Sequence, residues 1–559
     1  MGTEAITPAA AAPGATPAPW LPLWAKVLFV LALVAAYTFS LDLGALAEPD
    51  EPRYAEIARE MLVRHDFVTP TLNFVKYFEK PPLVYWLTAI AFGLLGVSDW
   101  AARLVPVLSA LATLALTWAV GRHAYGRWVG FAGMALLATS PLYFAMGQTL
   151  TLDLPLTACL TTALAACWFG YHSADHQRQW YRVMYLAAAL AVLTKGPVAV
   201  VLIGAVVAGF LLVQRDGRGL RQLLDPLGLL LFFAVALPWF VAVSLRNPEF
   251  VDFFVIDQHF KRYLAPREHR QPVWFYLPVV FASMLPWTAA LLLAPGWWPA
   301  ARQLRAWSSG TWYCLLWAGV VIGFFSLSGS KLVTYILPAL PPLAIVSARA
   351  LQQALAQGAR LQGYLGRLFT LLGWIVIAGA AIAGLLRVHP VVAEIIGALC
   401  GGGLMLVVTG WLIRRQRDEW RGLAVAVCGM LAFLSLAMSA RDVTSSYRAL
   451  GRALHQRAQA SDLVVVYGHY VQGIPLYSQR RVIMVRAWGE LDFGSRQGDQ
   501  RAYFWPGDDQ LVEAWASPAR MFLVINRVEL APLRPRLDPA PIEIAAEGKK
   551  VLLVNQPLP

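Results

Sequence analysis

Apolar segments recur along the whole chain, and this feature limits the possible folds more than any other. Of the 559 residues 58% are hydrophobic and only 14% are charged, whereas soluble domains carry roughly 25% charged residues. We therefore predict a polytopic α-helical membrane protein. The fourteen segments cover residues 23–43, 83–97, 104–121, 128–146, 153–171, 181–194, 197–214, 226–245, 274–295, 312–328, 333–350, 367–386, 391–413 and 421–440.

The charges between these segments indicate which of them cross the bilayer. Arginines gather in alternate loops, and the positive-inside rule places such loops in the cytoplasm. If residues 83–97 crossed, the loop with Arg122 and Arg127 would share a side with residues 45–82, and all later loops would be inverted against their charge. Residues 83–97 would also supply roughly 22 Å of helix against roughly 30 Å of hydrocarbon. We therefore predict thirteen transmembrane helices, with 83–97 as a re-entrant or interface-lying helix.

This topology places the N-terminus in the cytoplasm and the C-terminus outside. It also brings the segments with unusual ionisable residues to one external side, although those residues were not used in the count. These segments are residues 45–82, 148–153, 194–197, 246–273 and 328–331.

The chain divides into three parts by composition. Residues 1–20 are rich in Ala, Pro and Thr and are expected to form a disordered leader. Residues 21–440 form the transmembrane domain; it begins with an uncleaved helix and includes a first external loop over 45–102. Residues 441–559 are expected to form a small external α/β domain that caps the active site or docks a partner. Its predicted elements are a helix over 446–458 and strands over 462–468, 481–485, 521–526 and 550–555.

Charge and cysteine content exclude some classes of function. The net charge is +13, but the Lys and Arg residues are scattered through short loops, which is typical of contacts with anionic lipid. We therefore predict no nucleic-acid partner. The five cysteines lie inside apolar segments without metal-ligand spacing and are interpreted as buried core residues.

The first external loop carries the densest group of charges. Asp50 and Glu51 open a segment, 51–63, with helical spacing. The two carboxylates are either catalytic or simple caps of the helix start, where negative charge is favourable. Three further charged residues are interpreted as the solvated face of an amphipathic helix: Glu56, Arg59 and Glu60.

Asp153 and the pair Glu79-Lys80 extend this group. Asp153 starts a helix at the same external side, has no neighbouring cation in the sequence, and is either a cap or a catalytic residue. Glu79 and Lys80 precede Pro81-Pro82, which fixes the direction of both side chains. Adjacent residues pair poorly with each other, so each is expected to have a partner elsewhere.

Isolated cations lie in the other external segments. Lys195 and Lys331 could extend towards lipid headgroups or bind a substrate phosphate. Arg262 belongs to the cationic loop 252–270, which suits a phosphorylated lipid. Glu79 and His259 together could hold a divalent metal, but two separate ligands are a weak signal. No organic cofactor is expected.

Several motifs together resemble those of a known enzyme family. They are Asp50-Glu51-Pro52-Arg53-Tyr54-Ala55-Glu56, Lys76-Tyr77-Phe78-Glu79-Lys80-Pro81-Pro82, Thr194-Lys195-Gly196-Pro197, Asp257-Gln258-His259-Phe260 and Ser330-Lys331-Leu332-Val333-Thr334-Tyr335. With them the chain resembles the C-type membrane glycosyltransferases that use polyisoprenyl-phosphate sugar donors, and most closely the lipid A aminoarabinose transferase family.

The resemblance implies both a reaction and a set of site residues. The superfamily has an acidic residue in its first external loop, a second Asp two loops later and interface-lying helices, and Asp50, Asp153 and 83–97 occupy these places. It implies transfer of 4-amino-4-deoxy-L-arabinose from undecaprenyl phosphate to a lipid A phosphate, with inversion. The expected setting is a monomer at the periplasmic face of the inner membrane, where the product confers polymyxin resistance. The substrate-binding residues that we assign are Arg53, Tyr54, Tyr77, Lys80, Lys195, Arg262, Lys331 and Tyr335, beside catalytic Asp50, Asp153 and Glu51.

Alternative functions remain open from the sequence. Relatives that move other sugars, or that use a protein or glycan hydroxyl as acceptor, share the pattern, and a hydroxyl would require a general base such as Asp50. A phosphate acceptor is already ionised, so Asp50 and Asp153 would then orient the sugar, pair with its amine or stabilise oxocarbenium charge. A transporter is disfavoured because the sequence shows no inverted repeat and its ionisable residues gather at one face.

Overall fold

The computed structural model describes residues 22–254, 270–293, 308–356, 361–385, 390–439, 447–486 and 488–558. Helices form at every predicted apolar segment within this part of the chain. Up to residue 246 the helices are α1 (Leu23–Phe39), α2 (Asp50–Arg64), α3 (Leu83–Leu95), α4 (Asp99–Tyr125), α5 (Arg127–Ala138), α6 (Pro141–Met146), α7 (Asp153–Tyr171), α8 (Gln177–Lys195), α9 (Val198–Gln214), α10 (Gly217–Leu223) and α11 (Pro226–Arg246). A short hairpin, β1 (Thr71–Leu72) and β2 (Val75–Lys76), lies between α2 and α3.

The second half of the helical part continues in the same manner. Its helices are α12 (Tyr276–Ser283), α13 (Trp287–Leu293), α14 (Ser309–Leu327), a 3₁₀ helix (Val333–Ala339), α15 (Leu340–Ala356), α16 (Leu361–Leu385), α17 (Pro390–Arg414) and α18 (Glu419–Ser439).

Eight helices within the described ranges are long and apolar enough to cross a membrane, so the chain is a multi-pass membrane protein. The count of thirteen stays a prediction. Two apolar segments, 128–146 and 274–295, are each divided into two helices. Proline explains both divisions, because Pro141 and Pro286 provide no backbone N–H for a continuous helix.

Helix α3 has the length expected of a segment that does not cross. Its 13 residues rise about 20 Å, less than the roughly 30 Å of a hydrocarbon core. One side of α3 is buried against α2 and α4, while Ile90 and Leu94 on the other side are exposed. This arrangement fits a helix that lies along the interface.

The C-terminal domain (here residues 447–486 and 488–558) is built on a six-stranded sheet. Its strands in chain order are β3 (Leu463–Tyr467), β4 (Ile483–Val485), β5 (Phe504–Trp505), β6 (Met521–Asn526), β7 (Ile542–Glu547) and β8 (Lys550–Val554). The spatial order is β5–β4–β3–β6–β8–β7, with β3 to β6 parallel and β7 and β8 antiparallel. The helices between them are α19 (Arg448–Arg457), α20 (Gly473–Ser478), α21 (Asp492–Ser495), α22 (Asp508–Trp515) and α23 (Arg527–Leu533).

The four predicted strands of this domain are confirmed, whereas β5 and β7 were not predicted. Strand β5 has only two residues, and β7 has an exposed, polar pattern that gives little apolar alternation. The domain boundary near residue 441 lies outside the described residues and stays a prediction.

The C-terminal domain shares a hydrophobic core with the first loop (residues 45–102). Val464 and Val466 of β3 belong to the same buried cluster as Ile57 of α2 and Tyr85 of α3, whereas Val465 belongs to a separate cluster on the opposite face. Alternate residues of a strand point to opposite faces of a sheet. One face of the sheet therefore packs against the first loop, so that the two parts form one structural unit.

A buried ion pair fixes the path of the first loop. Arg103 of α4 and Glu51 of α2 are 0% and 1% exposed, and their side chains form two hydrogen bonds of 2.8 and 2.7 Å. The remaining three N–H groups of the guanidinium donate to the carbonyls of Leu41, Gly44 and Ala45. All five donors of Arg103 are satisfied, as a buried cation requires.

We expect Arg103→Met to destabilise the protein by about 3–5 kcal/mol, because it would leave the Glu51 carboxylate buried without its partner. The unfolding midpoint of the purified protein in detergent would measure this loss. Arg501→Met is the matched control: the Arg501 side chain is 96% exposed, so its loss should change stability by less than about 0.5 kcal/mol. Equal midpoints for the two variants would contradict the structural role of Arg103.

Candidate active site

The described residues of the five segments predicted to share one side contact one another. Each contact joins residues that are far apart in the sequence, so the convergence is a property of the fold. The contacts that establish it pair Glu51 with Leu150, Asp153 with Lys195, Lys76 with Glu249, Lys331 with Gln271 and Lys195 with Tyr335. The described parts of these segments therefore lie together, whereas their position on the external side of the membrane stays a prediction.

Asp50 lies at the start of α2 with an accessible carboxylate. Its side chain is 53% exposed, and one oxygen lies 3.1 Å from Nη1 of Arg53, one turn further along the helix. Arg53 holds this carboxylate in place without burying it. Asp50 can therefore contact a ligand that enters from outside the helix.

Glu51, the next residue, has a different environment. Besides pairing with Arg103, its carboxylate accepts hydrogen bonds from the backbone N–H groups of Ala47 and Leu150, at 2.9 and 2.8 Å. These contacts connect the start of α2 to the turn before α7. The geometry gives Glu51 a structural role, and its predicted catalytic role remains without structural support.

Asp153 forms an ion pair with Lys195, the last residue of α8. The sequence around Asp153 supplies no cation, and the fold provides one from the next helix, 42 residues further along the chain. The Lys195 ammonium also lies 4.3 Å from the ring centroid of Tyr335, within the range of a cation–π contact. Asp153, Lys195 and Tyr335 thus form one cluster.

Tyr54 of α2 links the two aspartates. Burial, and then the carboxylates of Asp50 and Asp153, raise the pKa of the Tyr54 hydroxyl well above its usual value, while Arg53 opposes the shift. Both carboxylates therefore lie near the same hydroxyl. The 2.8 Å hydrogen bond from the Leu150 N–H to Glu51 likewise brings the segment before Asp153 against the residue that follows Asp50.

Lys331 has the position of a structural cation. It is 4% exposed, and its ammonium donates to the backbone carbonyls of Gln271 and Ser328. These bonds join the segment before α12 to the turn after α14. A direct contact between Lys331 and substrate stays a prediction.

Two buried tyrosines present hydroxyl groups to the site. The hydroxyls of Tyr77 and Tyr85 have no hydrogen-bond partner among the described residues. Burial, and then the carboxylate of Glu79, raise the pKa of Tyr77 well above its usual value, so its hydroxyl stays protonated and able to donate. Glu79 and Lys80 are both partly exposed beside these rings.

Two predicted site residues, Arg262 and His259, lie outside the described residues. The proposed metal pair, Glu79 with His259, therefore has only one described member. Elsewhere in the described ranges, no three His, Cys, Asp or Glu side chains form a group that could hold a metal ion.

The polar face of α2 is buried, so its prediction as a solvated face is wrong. Glu56 and Glu60 are 0% exposed and Arg59 is 4% exposed. Arg59 and Glu56 form two hydrogen bonds of 2.6 and 2.7 Å, while Glu60 accepts from the Thr71 hydroxyl at 2.6 Å and from the Phe74 N–H. The C-terminal domain covers this face: α20 packs on α2, and the phenol of Tyr470 lies near Glu56 and Glu60.

Polar contacts also join the C-terminal domain to the first loop. Glu490 pairs with Arg53 at 2.7 Å. The Asn73 side-chain amide exchanges two 2.9 Å hydrogen bonds with the backbone of Val482. Of the two expected roles for this domain, these contacts support that of a cap over the first loop.

Asp99 and Arg103 are charged residues of this region that the sequence prediction missed. Asp99 starts α4 and accepts hydrogen bonds from Tyr477 and Arg448 of the C-terminal domain, both at 2.9 Å. Both residues lie within about one turn of the apolar segment 104–121, and a charge in such a place is costly unless it has a partner. This position was the signal that could have identified them.

Comparison with known proteins identifies relatives over nearly the whole chain. Residues 79–241 match the family model described as dolichyl-phosphate-mannose-protein mannosyltransferase, and residues 450–556 match the aminoarabinose transferase C-terminal domain. The undecaprenyl phosphate-alpha-4-amino-4-deoxy-L-arabinose arabinosyl transferase of Edwardsiella ictaluri is 29% identical, covering 92% of this chain and 94% of that protein. Transferase 1 of the same description from Pseudomonas fluorescens is 31% identical over 78% of this chain and 77% of its own length.

A solved structure is similar over almost the full length. The crystal structure of ArnT from Cupriavidus metallidurans bound to undecaprenyl phosphate has a TM-score of 0.83 and 28% sequence identity, covering 96% of this chain and 99% of that one. The relationship therefore includes both the helical part and the C-terminal domain.

We expect the buried Glu60 to make the protein less stable as the pH rises from about 5 to 8. Burial, and then Glu56, raise the pKa of Glu60 from 4.5 to about 8. Between these values the unfolded chain has released the proton that the folded protein still binds, so stability falls with increasing pH. Thermal midpoints in detergent across this range should fall more steeply for the wild type than for Glu60→Gln. The exposed Glu513→Gln should keep the wild-type slope; a Glu60→Gln slope equal to that of the wild type would contradict the assignment.

Proposed function

Since the chain belongs to the undecaprenyl phosphate-aminoarabinose arabinosyl transferase family, we propose that it transfers 4-amino-4-deoxy-L-arabinose from undecaprenyl phosphate to a lipid A phosphate. The chain is a glycosyltransferase with a polyprenyl-phosphate sugar donor. Because the chain belongs to a family of transferases, we reject the alternative that it is a transporter. Lipid A as the acceptor rests on the family.

The observation that carries the proposal for the site is that Asp50 and Asp153 both lie near the Tyr54 hydroxyl, with Lys195 paired to Asp153. A lipid-linked aminosugar carries a phosphate and an amine. Lys195 and Lys80 offer cations for the phosphate, and the aspartates offer carboxylates for the amine. Tyr77, which is protonated and has no hydrogen-bond partner among the described residues, can donate to a phosphate oxygen.

The reaction that we propose needs no proton transfer. An oxygen of the acceptor phosphate attacks the anomeric carbon, the bond from that carbon to the donor phosphate breaks, and its electron pair leaves with undecaprenyl phosphate. Attack from the side opposite the leaving group inverts the configuration. Positive charge develops on the sugar ring in the transition state, and the accessible carboxylate of Asp50 is suited to stabilise it.

Lys195 is expected to respond to the donor. Asp153 neutralises it in the absence of ligand, and its side chain remains 15% exposed. A donor phosphate would compete with Asp153 for the ammonium and would leave the aspartate available to the sugar amine. This exchange would couple phosphate binding to recognition of the sugar.

The membrane arrangement forms part of the proposal. We propose thirteen spans with α3 at the interface, which would put the site at the periplasmic face of the inner membrane. We also propose that lipid A is the partner and that the functional form is a monomer. The buried side of α3 and its length of about 20 Å support this topology. A divalent metal held by Glu79 and His259 remains a separate prediction, and no step above depends on it.

We expect Asp50→Asn to reduce sugar transfer at least 100-fold while leaving the fold intact, because Asp50 is half exposed and is not part of the buried network. Transfer from the undecaprenyl-phosphate-linked sugar to radiolabelled lipid A measures the activity, and thermal unfolding reports on the fold. Asp42→Asn, which removes an exposed carboxylate eight residues earlier, should retain full activity. An active Asp50→Asn enzyme would refute the assignment of Asp50.

The same assay tests the acceptor. We expect the wild type to transfer the sugar to lipid A but not to a peptide acceptor. Mass spectrometry of lipid A from cells with the protein should show a pentosamine adduct. Cells without the protein should lack the adduct. Transfer of the sugar to the peptide alone would favour the protein O-glycosyltransferase alternative.

A further inference from the structure

Arg53 lies between two carboxylates that come from different parts of the chain. Its Nη1 contacts Asp50 at 3.1 Å, and its Nε contacts Glu490 of the C-terminal domain at 2.7 Å. We propose that Glu490 is a positioning residue for sugar transfer: it orients Arg53, and through Arg53 it sets the position of Asp50. This inference rests on the proposed function of Asp50.

Glu490 is itself held firmly. It lies in the 3₁₀ turn Gly489–Leu491, its side chain is 15% exposed, and the amide of Gln472 donates to its other carboxylate oxygen. Two elements of the C-terminal domain therefore fix one carboxylate. Because the Glu490 carboxylate is held in this way, it can set the position of the Arg53 guanidinium.

The guanidinium transmits this position because it is planar and rigid. The contact of Arg53 Nε with Glu490 is a 2.7 Å ion pair without hydrogen-bond geometry. It sets the position of the guanidinium, and because this group is planar, the position of Nη1 follows. Asp50 needs such a support, because its own side chain is 53% exposed and is not held by packing. Lysine in place of Arg53 would lack this planar geometry.

Among the described residues, the side chain of Arg53 connects the C-terminal domain to the carboxylate of Asp50. This contact differs from the other links between the domain and the first loop. The contacts of Asn73 with Val482 and of Asp99 with Arg448 and Tyr477 hold the two parts together but involve no proposed site residue. Loss of Glu490 should therefore affect catalysis more than attachment of the domain.

The test compares Glu490→Gln with Glu490→Asp, and with Glu543→Gln as a control. Glu543 is a 43% exposed carboxylate of the same domain that pairs with Arg527. A small misplacement of a catalytic group can cost up to about 100-fold. We expect Glu490→Gln to lower kcat for sugar transfer about 10-fold or more with KM for the donor changed less than twofold, because Asp50 acts in the transition state. Glu490→Asp should recover part of kcat, and Glu543→Gln should behave as the wild type.

A double-mutant cycle with Arg53→Gln separates positioning from general damage. If Glu490 acts through Arg53, the double variant should lose no more kcat than Arg53→Gln alone. Independent, multiplying losses would overturn the inference, as would an unchanged kcat in Glu490→Gln or an equal loss in Glu543→Gln. If Glu490→Gln does not fold, the test uses Gln472→Ala, which removes the hydrogen bond to Glu490. We then expect kcat to fall at constant KM, and an unchanged kcat would overturn the proposal. Activity in Asp50→Asn, by contrast, would overturn the proposed role of Asp50, on which this inference rests.

Discussion

The arrangement of the site depends on the buried contact between Arg103 and Glu51. Every donor of the guanidinium is occupied, and the carboxylate also accepts from the backbone at Ala47 and Leu150. An uncompensated charge at this depth would cost several kcal/mol. The network therefore allows one path for the chain between α1 and α2 and fixes the turn before α7. Asp50 and Asp153 lie within one and three residues of these anchored points.

The C-terminal domain completes the first loop. Helix α2 has ionisable residues around much of its circumference, and the side chains of Glu56, Arg59 and Glu60 are buried beneath this domain. They are tolerated because Arg59 pairs with Glu56, and Glu60 receives hydrogen bonds from the hairpin residues Thr71 and Phe74. These partners belong to the first loop itself, and the C-terminal domain adds partners for Arg53 and Asn73.

The sequence was sufficient for elements with a strong local signal. Apolar segments of bilayer length predicted the helices, since a helix in lipid must satisfy its own backbone, and alternation of charge between loops predicted that the polar segments converge. The β-branched segments predicted four strands of the C-terminal sheet. Two residues of β5 and the polar edge strand β7 carry no such signal.

The failed predictions concern partners that are distant in sequence. The helical pattern of α2 is that of a surface helix, and nothing within residues 50–64 indicates that Tyr470 and α20 cover it. Likewise, the segment around Asp153 does not reveal that Lys195 is its partner. Local composition indicates which residues need a partner, but the fold decides which partner they receive.

The contrast between Asp50 and Glu51 follows from helix geometry. Successive residues of an α-helix point about 100° apart, so two adjacent carboxylates at the start of α2 cannot share one environment. Glu51 points inward to Arg103, whereas Asp50 points to the accessible side, where Arg53 is its partner. The buried carboxylate holds the helix start in place, and the exposed one is thereby presented at a defined position. An acidic pair that looks redundant in the sequence thus combines one buried structural residue with one residue that is accessible to a ligand.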